Sequence, residues 1–205
     1  MADLIVNAHV YDAAEDVPQD SDRFVVDTNV WILASYVPAT AGQTHRQNIA
    51  NIYQVYLKSL RKQRATVFRN PLQLTEVGHV IEKLNHKIYQ SSLNNPIEIK
   101  DYRRIPSERQ KNLTDIKGTW EFIVKRTVSA DSGPWDVLSE KLLQHIENYP
   151  LDTYDAAFLE MMSTNNIDKI LTDDSDYALV RGIRMFTANR YVLTSATICS
   201  RTVSN

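Results

Sequence analysis

The chain has a single cysteine, Cys199, among 205 residues. That excludes a disulfide framework and any multi-cysteine zinc site. Its five glycines are scattered at positions 42, 78, 118, 133 and 182, so no P-loop or G-x-G-x-x-G turn can be assembled from them. Five histidines (His9, His45, His79, His86 and His145) form no H-E-x-x-H, and no G-x-S-x-G marks a nucleophilic serine. There is no run of about 18 apolar residues to cross a bilayer. The opening MADLIVNAHVYDAAED lacks the basic start and apolar stretch of a signal peptide. These absences lead us to expect a soluble, cytoplasmic protein that does not bind ATP or NAD through a glycine loop.

What is present is ordinary for a folded domain: 43% hydrophobic and 23% charged residues, enough apolar surface to bury a core. The net charge of -2 conceals segregation. Residues 1–22 hold six acids and no Lys or Arg. Residues 45–128 hold sixteen Lys or Arg against seven acids, and residues 129–205 hold eleven acids against six Lys or Arg. A basic middle beside an acidic end suits a polyanion held next to a metal site, and equally suits solvated helix faces.

Hydrophobic spacing gives the elements. Phe24-Val25-Val26 reads as a buried parallel strand ending at Asp27, with a helix following. Ile49, Ile52, Tyr53, Tyr56, Leu57 and Leu60 recur at helical spacing, so 45–64 is an amphipathic helix whose other face carries Arg46, Lys58, Arg61, Lys62 and Arg64. Residues 65–68 form a second strand, and Pro71 suits the first turn of the helix after it. Asn94-Asn95-Pro96, Ile105-Pro106 and Ser132-Gly133-Pro134 are turn signals. Between the last two, 107–128 is expected to be helical, with Ser107 and Gln110 as a capping box. Helices follow at 135–146 and 153–165, and strands at 169–172 and 183–187. The alternation predicts an α/β fold, a three-layer α/β/α sandwich with a mainly parallel sheet. We expect an acidic arm at 1–22, a domain at 23–195 with a helical insertion at about 91–149, and a tail at 196–205.

Two strand ends terminate in acids: Val26 in Asp27, and Leu171-Thr172 in Asp173 and Asp174. In parallel sheets, ligands bind at the carboxyl ends of strands. Asp27 is also a good helix N-cap, and Asp173, Asp174 and Asp176 are good loop residues. Crowded carboxylates need a counter-charge, which Lys169, Arg181 or a divalent cation would supply. Glu76, in the apolar stretch LQLTEVGHVI, is costly on a core-facing stripe unless paired or metal-bound. Asp155 opens the helix DAAFLEMM, where either it or Thr153 could be the cap. Oxygen donors without His or Cys favour Mg²⁺ or Mn²⁺ over zinc.

Four segments in order, VVDTNVWI, LQLTEVGHVI, YDAAFLEMM and ILTDDSDYALV, resemble the PIN-domain family of metal-dependent nucleases, including toxin ribonucleases of the VapC type. The family's last segment reads apolar-apolar-Thr-x-acid-x-Asp-aromatic, which matches Thr172, Asp174, Asp176 and Tyr177 and leaves Asp173 at the variable position. The resemblance covers roughly 23–90 and 150–190. It implies a PIN-like α/β/α fold and endoribonuclease activity. Asp27, Glu76, Asp155 and Asp174 would be catalytic, with Asp27, Asp155, Asp174 and Asp176 around one or two Mg²⁺ or Mn²⁺ ions. Thr28, Asn29 and Thr172 would orient carboxylates or bind phosphate. Small members are often toxins of toxin–antitoxin pairs, commonly dimeric and inhibited by a partner protein. Arg61, Lys62 and Arg64 are candidate RNA-backbone ligands, and Tyr53, Tyr56 and Trp120 candidate stacking residues, though the two tyrosines lie on the apolar stripe. Two alternatives stand beside this reading. One is a silent PIN-like module that only binds RNA or protein. The other is a haloacid-dehalogenase-type phosphatase, which needs an acid where this chain has Asn29.

Overall fold

The computed structural model describes residues 4–93, 95–131 and 133–203, with Trp135 and Asp136 described by backbone alone. The turn positions Asn94 and Ser132 lie outside the described residues. Six strands form one sheet in the order β1-β6-β5-β2-β3-β4, and every adjacent pair is parallel. The strands are β1 (His9–Asp12), β2 (Arg23–Val26), β3 (Thr66–Arg69), β4 (Val128–Ser129), β5 (Lys169–Leu171) and β6 (Arg184–Thr187). The helices are α1 (Thr28–Ser35), α2 (Thr44–Lys62), α3 (Gln73–Gln90), α4 (Ile99–Tyr102), α5 (Pro106–Val124), α6 (Trp135–Asn148), α7 (Thr153–Thr164) and α8 (Arg190–Ile198).

Side-chain alternation along the strands builds three layers. Val25, Ile170 and Met185 face a core shared with Phe158, Leu159, Met161 and Met162 of α7 and Val192, Leu193 and Ala196 of α8. Their strand neighbours Phe24, Val26, Leu171 and Phe186 face the opposite core. There they meet Trp31 of α1, Tyr53, Tyr56 and Leu60 of α2, Val77 and Ile81 of α3, and Ile123 of α5. The α/β sandwich read from the pattern is therefore the fold. Burial of both sheet faces explains why the strands read as continuous apolar runs rather than alternating ones.

The topology positions the site. From β2 the chain winds outward through β3 to β4, then returns to lay β5 and β6 on β2's other side. The order reverses between β2 and β5, and a crevice opens at the carboxyl ends of strands at such a reversal.

Several local expectations need correction. Within the acidic stretch, residues 4–22 pack onto the domain: β1 pairs with β6, and Val6, Ala8, Val10 and Ala13 are buried. Its apolar residues are spaced for a short edge strand, a signal that its acids obscure. Residues 196–203 begin with fully buried Ala196, and Thr202 bridges to Val10, so they cover the sheet edge rather than trailing from it. The 91–149 insertion is mainly helical as expected, but Val128–Ser129 adds edge strand β4 to β3. Its α5 is tied to the rest by a polar cluster. The Tyr36 hydroxyl lies 2.7 Å from Asn85 Oδ1 and 2.9 Å from Asp115 Oδ2, and Asn85 Nδ2 donates to Asn112 Oδ1 at 2.8 Å. The capping box does not form. Pro106 opens α5 with no side-chain cap at Ile105, since its fixed φ already suits a first helical position. Pro71 lies two residues ahead of α3, in a turn closed by the Leu72 N–H donating to Asn70 Oδ1 at 2.8 Å.

No helix among the described residues is long and apolar enough to cross a membrane.

Candidate active site

β2 ends by presenting Asp27, 3% exposed, beside the end of β5. Its N–H donates to the Leu171 carbonyl at 3.0 Å, carrying the strand pairing one residue further. Asp27 sits at the cap position of α1 but makes no side-chain capping bond. Instead its Oδ2 accepts from the Thr172 hydroxyl at 2.6 Å. Thr172 Oγ1 in turn accepts the Asp174 N–H at 2.9 Å, and Asp174 Oδ1 accepts the Asp176 N–H at 2.9 Å. This relay fixes the loop after β5 against the end of β2. On the other side, Thr28 donates to Glu76 Oε2 at 2.5 Å. Gln73 Nε2 donates to the Val26 carbonyl at 2.9 Å, which seats the first turn of α3 over the strand end.

The fourth acid is freed by its neighbour. Asp152 caps α7, its Oδ1 accepting from the N–H groups of Tyr154 and Asp155 at 2.8 and 2.9 Å. Asp155 is thus not the cap, and its side chain is buried at the site. An Asp-Thr pair at a helix start is a cap signal, and it could have assigned Asp152 from the sequence.

Mutual repulsion records how the acids converge. Burial first, then the Glu76 carboxylate, pushes Asp27 up to about 8. Burial first, then Asp27, pushes Asp155 up to about 8. Glu76 rises to about 7 through burial, with Asp155, Asp152 and Asp174 adding to it and the Thr28 hydroxyl opposing. Asp176 is raised by burial and then by Asp174. The Tyr177 hydroxyl is buried with no well-formed hydrogen bond, yet it lies near enough to Asp155 to temper that rise.

Asp173 belongs to the scaffold. Its Oδ1 accepts from the Tyr53 hydroxyl at 2.7 Å, its N–H donates to Asn29 Oδ1 at 3.3 Å, and its carbonyl accepts from Asn189 Nδ2 at 2.8 Å. Asn29 is thereby committed to the backbone and offers no acid/base group, which removes the basis of the phosphatase alternative. Tyr53 and Tyr56 are buried, so neither is a stacking platform, while Trp120 is partly buried against the same core.

Of the expected counter-charges, Arg181 is exposed in the turn ahead of β6. Lys169 pairs with Asp22, at the amino end of the strands. Arg61, Lys62 and Arg64 close α2 and precede β3, whose Thr66 pairs with Arg23 at the start of β2. They therefore lie at the opposite end of the sheet from Asp27, about 13 Å of strand away. The cations near the acids are Arg46 and His45 in the first turn of α2, both of which act on Asp173.

The donor set suits a hard divalent cation: carboxylates and hydroxyls, mutually repelling, without nitrogen or sulfur. Gln73 Oε1 beside the Val26 carbonyl is also buried and unpaired. Among the described residues, no three acid, histidine or cysteine side chains are drawn closely enough to enclose an ion. Asp27 and Glu76 are each turned toward a threonine hydroxyl instead.

No family model and no curated protein matches the chain in sequence. Among solved structures, it is similar to VapBC2 from Rickettsia felis bound to a DNA fragment from the promoter. The identity is 11% over 80% of this chain and 96% of that one, with a TM-score of 0.45. The reading of the site rests on its own geometry.

Proposed function

We propose that the chain is a metal-dependent endoribonuclease hydrolysing phosphodiester bonds at the acid-lined crevice. One observation carries the reading: acids from four separate segments, Asp27, Glu76, Asp155 and Asp174, converge where the strand order reverses, and burial and then neighbouring carboxylates push Asp27, Glu76 and Asp155 well above their ordinary pKa values. A structural cluster would pair such groups with arginine or lysine, as Asp168 is paired with Arg184 at 2.7 Å.

Mg²⁺ or Mn²⁺ bound there would favour ionisation of a water and offset charge on the phosphate. The chain's own residues do the rest. Thr172 and Thr28 hold the Asp27 and Glu76 carboxylates in fixed rotamers, so little reorganisation is needed when charge develops. Asp155 and Asp174 complete the donor set, and Asp176 anchors Asp174 through its N–H. Glu76, held by the Thr28 hydroxyl beside the other acids, is the carboxylate we assign to take a proton from a water. Arg46 and His45 stand at the rim, where a phosphate backbone would lie.

Asp27→Asn and Asp174→Asn should each abolish cleavage of a mixed RNA pool in Mg²⁺ or Mn²⁺, with the fold retained by circular dichroism. Full cleavage by pure Asp27→Asn would refute the assignment. A silent binding module would instead leave wild type inactive in every metal. The same reading carries a toxin role, an inhibitory antitoxin partner and a homodimer. Sedimentation of the chain, alone and with the product of a neighbouring gene, tests these.

A further inference from the structure

At the amino end of the sheet, away from the acids, α2 and α5 frame a cleft of about 350 Å³. Leu57 and Val128 contribute apolar wall over the buried Trp31 and Leu60, while Arg61, Lys125 and Arg126 supply charge. A second cleft of about 380 Å³ shares Leu57, Arg61 and Arg126 and adds Lys58 and Phe122. Among the described residues, no Asp or Glu lines either one.

The cations are under-compensated. Lys125 meets Glu121 at 3.6 Å, where both are exposed, and a pair of that kind contributes little. The Arg126 guanidinium lies 3.5 Å over the Phe122 ring, with Nη1 donating to the Phe122 carbonyl at 2.9 Å. Among the described residues, no carboxylate is found against Arg126 or Arg61. Burial and then the neighbouring Arg61 lower the Arg126 pKa, the mark of two close guanidinium groups with no anion between them. The indole N–H of Trp31, a fully buried side chain in the cleft floor, has no acceptor. Charge on the rim with aromatic and aliphatic floor is the pattern of a site for an organic anion, and each volume lies in the range of small-ligand sites.

We infer that this basal cleft binds a nucleotide, its phosphate between Arg61, Lys125 and Arg126 and its base against Leu57 and Val128, above the buried Trp31 indole. A bare anion would leave the apolar wall unused, and a neutral ring would leave the cations unpaired. The site is separate from the acid crevice and stands independently of the nuclease reading, so a nucleotide bound here is no substrate.

The test is calorimetric titration of the full chain with AMP and GMP, with adenosine and inorganic phosphate as partial probes, followed also by tryptophan fluorescence. AMP or GMP should bind at least tenfold more tightly than either partial probe and weaken with salt. Arg61→Gln, an exposed position, should weaken binding at least fivefold with an unchanged melting temperature. Lys125→Gln should act in the same direction, and Asp27→Asn should leave binding unaltered. Trp31→Phe should remove most of the fluorescence response. The inference is overturned by no binding of AMP or GMP at millimolar concentration. It is equally overturned by inorganic phosphate binding as tightly as AMP, or by affinity unchanged in both Arg61→Gln and Lys125→Gln.

Discussion

Replacing Asp27 with Asn should destroy activity and yet stabilise the metal-free protein. The carboxyl is buried, and its folded pKa of about 8 stands far above the ordinary 3.8. Glu76 and Asp155 are raised in the same way, to about 7 and about 8. Below about pH 4 these groups are protonated in both states and contribute nothing. As pH rises, the unfolded chain releases protons that the folded chain retains, so ν_U − ν_N is negative and stability falls with pH. The fall continues through the window from about 4 to about 8, then flattens once the folded groups ionise too. At pH 7, holding the proton on Asp27 costs on the order of 4 kcal/mol by linkage. Polarisable surroundings and water reduce such figures, and Asn still accepts from Thr172. We therefore expect Asp27→Asn to gain about 2 kcal/mol in EDTA at pH 7 to 8, and nothing near pH 4. Urea unfolding at each pH from 4 to 9 measures this directly. Mn²⁺ should reverse the order, stabilising wild type by about 2.7 kcal/mol at a hundredfold excess over its dissociation constant and leaving the variant unmoved. A variant less stable than wild type at pH 8, or one with the same pH slope, would refute the account of a strained acid site.

Three further outcomes test other parts of the structure. Tyr53→Phe removes the hydroxyl that donates to Asp173 at 2.7 Å and accepts the Ala188 N–H at 3.0 Å. It should cost about 1–3 kcal/mol in urea unfolding. Arg64→Gly should raise stability by about 0.5–1 kcal/mol, because Arg64 closes α2 at a φ of 59°, where a side chain is strained and glycine is not. Arg46→Ala should weaken RNA binding and reduce its salt slope by about one. If Arg64→Gly did so instead, the polyanion would lie at the wrong end of the sheet for this reading.

The middle of the fold was legible because burial imposes a pattern. The runs before Asp27 and Thr172 are continuous and apolar since both sheet faces are covered, and helical spacing on α2 and α3 follows from one buried stripe each. The edges were not. β1 and β4 are four and two residues long, held by partners far away in sequence, and no local signal records a partner. Site convergence was partly legible: strand-end acids mark themselves, Glu76 stood out as a charge on an apolar stripe, and Asp155 at a helix start was open to a capping role until the fold gave that role to Asp152. The basic patch went astray for a geometric reason. Helix periodicity says which face Arg61 and Lys62 occupy, but not that the last turn of a helix entering a parallel strand lies at the far end from the carboxyl-end crevice.

That geometry also explains how the chain tolerates its acids. Three carboxyls that resist ionisation, Asp27, Glu76 and Asp155, are set between two apolar cores, one closed by α1, α2 and α3 and the other by α7 and α8. Each acid hangs from an element whose position is decided elsewhere: Asp27 by β2, the central strand of the pairing, Glu76 by a helix anchored through Gln73, Asp155 by a helix capped independently at Asp152. None of these elements needs its acid to fold, so the repulsion does not disperse the site. It is held as strain that a divalent cation would relieve, and removing any one of these three acids should therefore help the empty fold while disabling the chemistry.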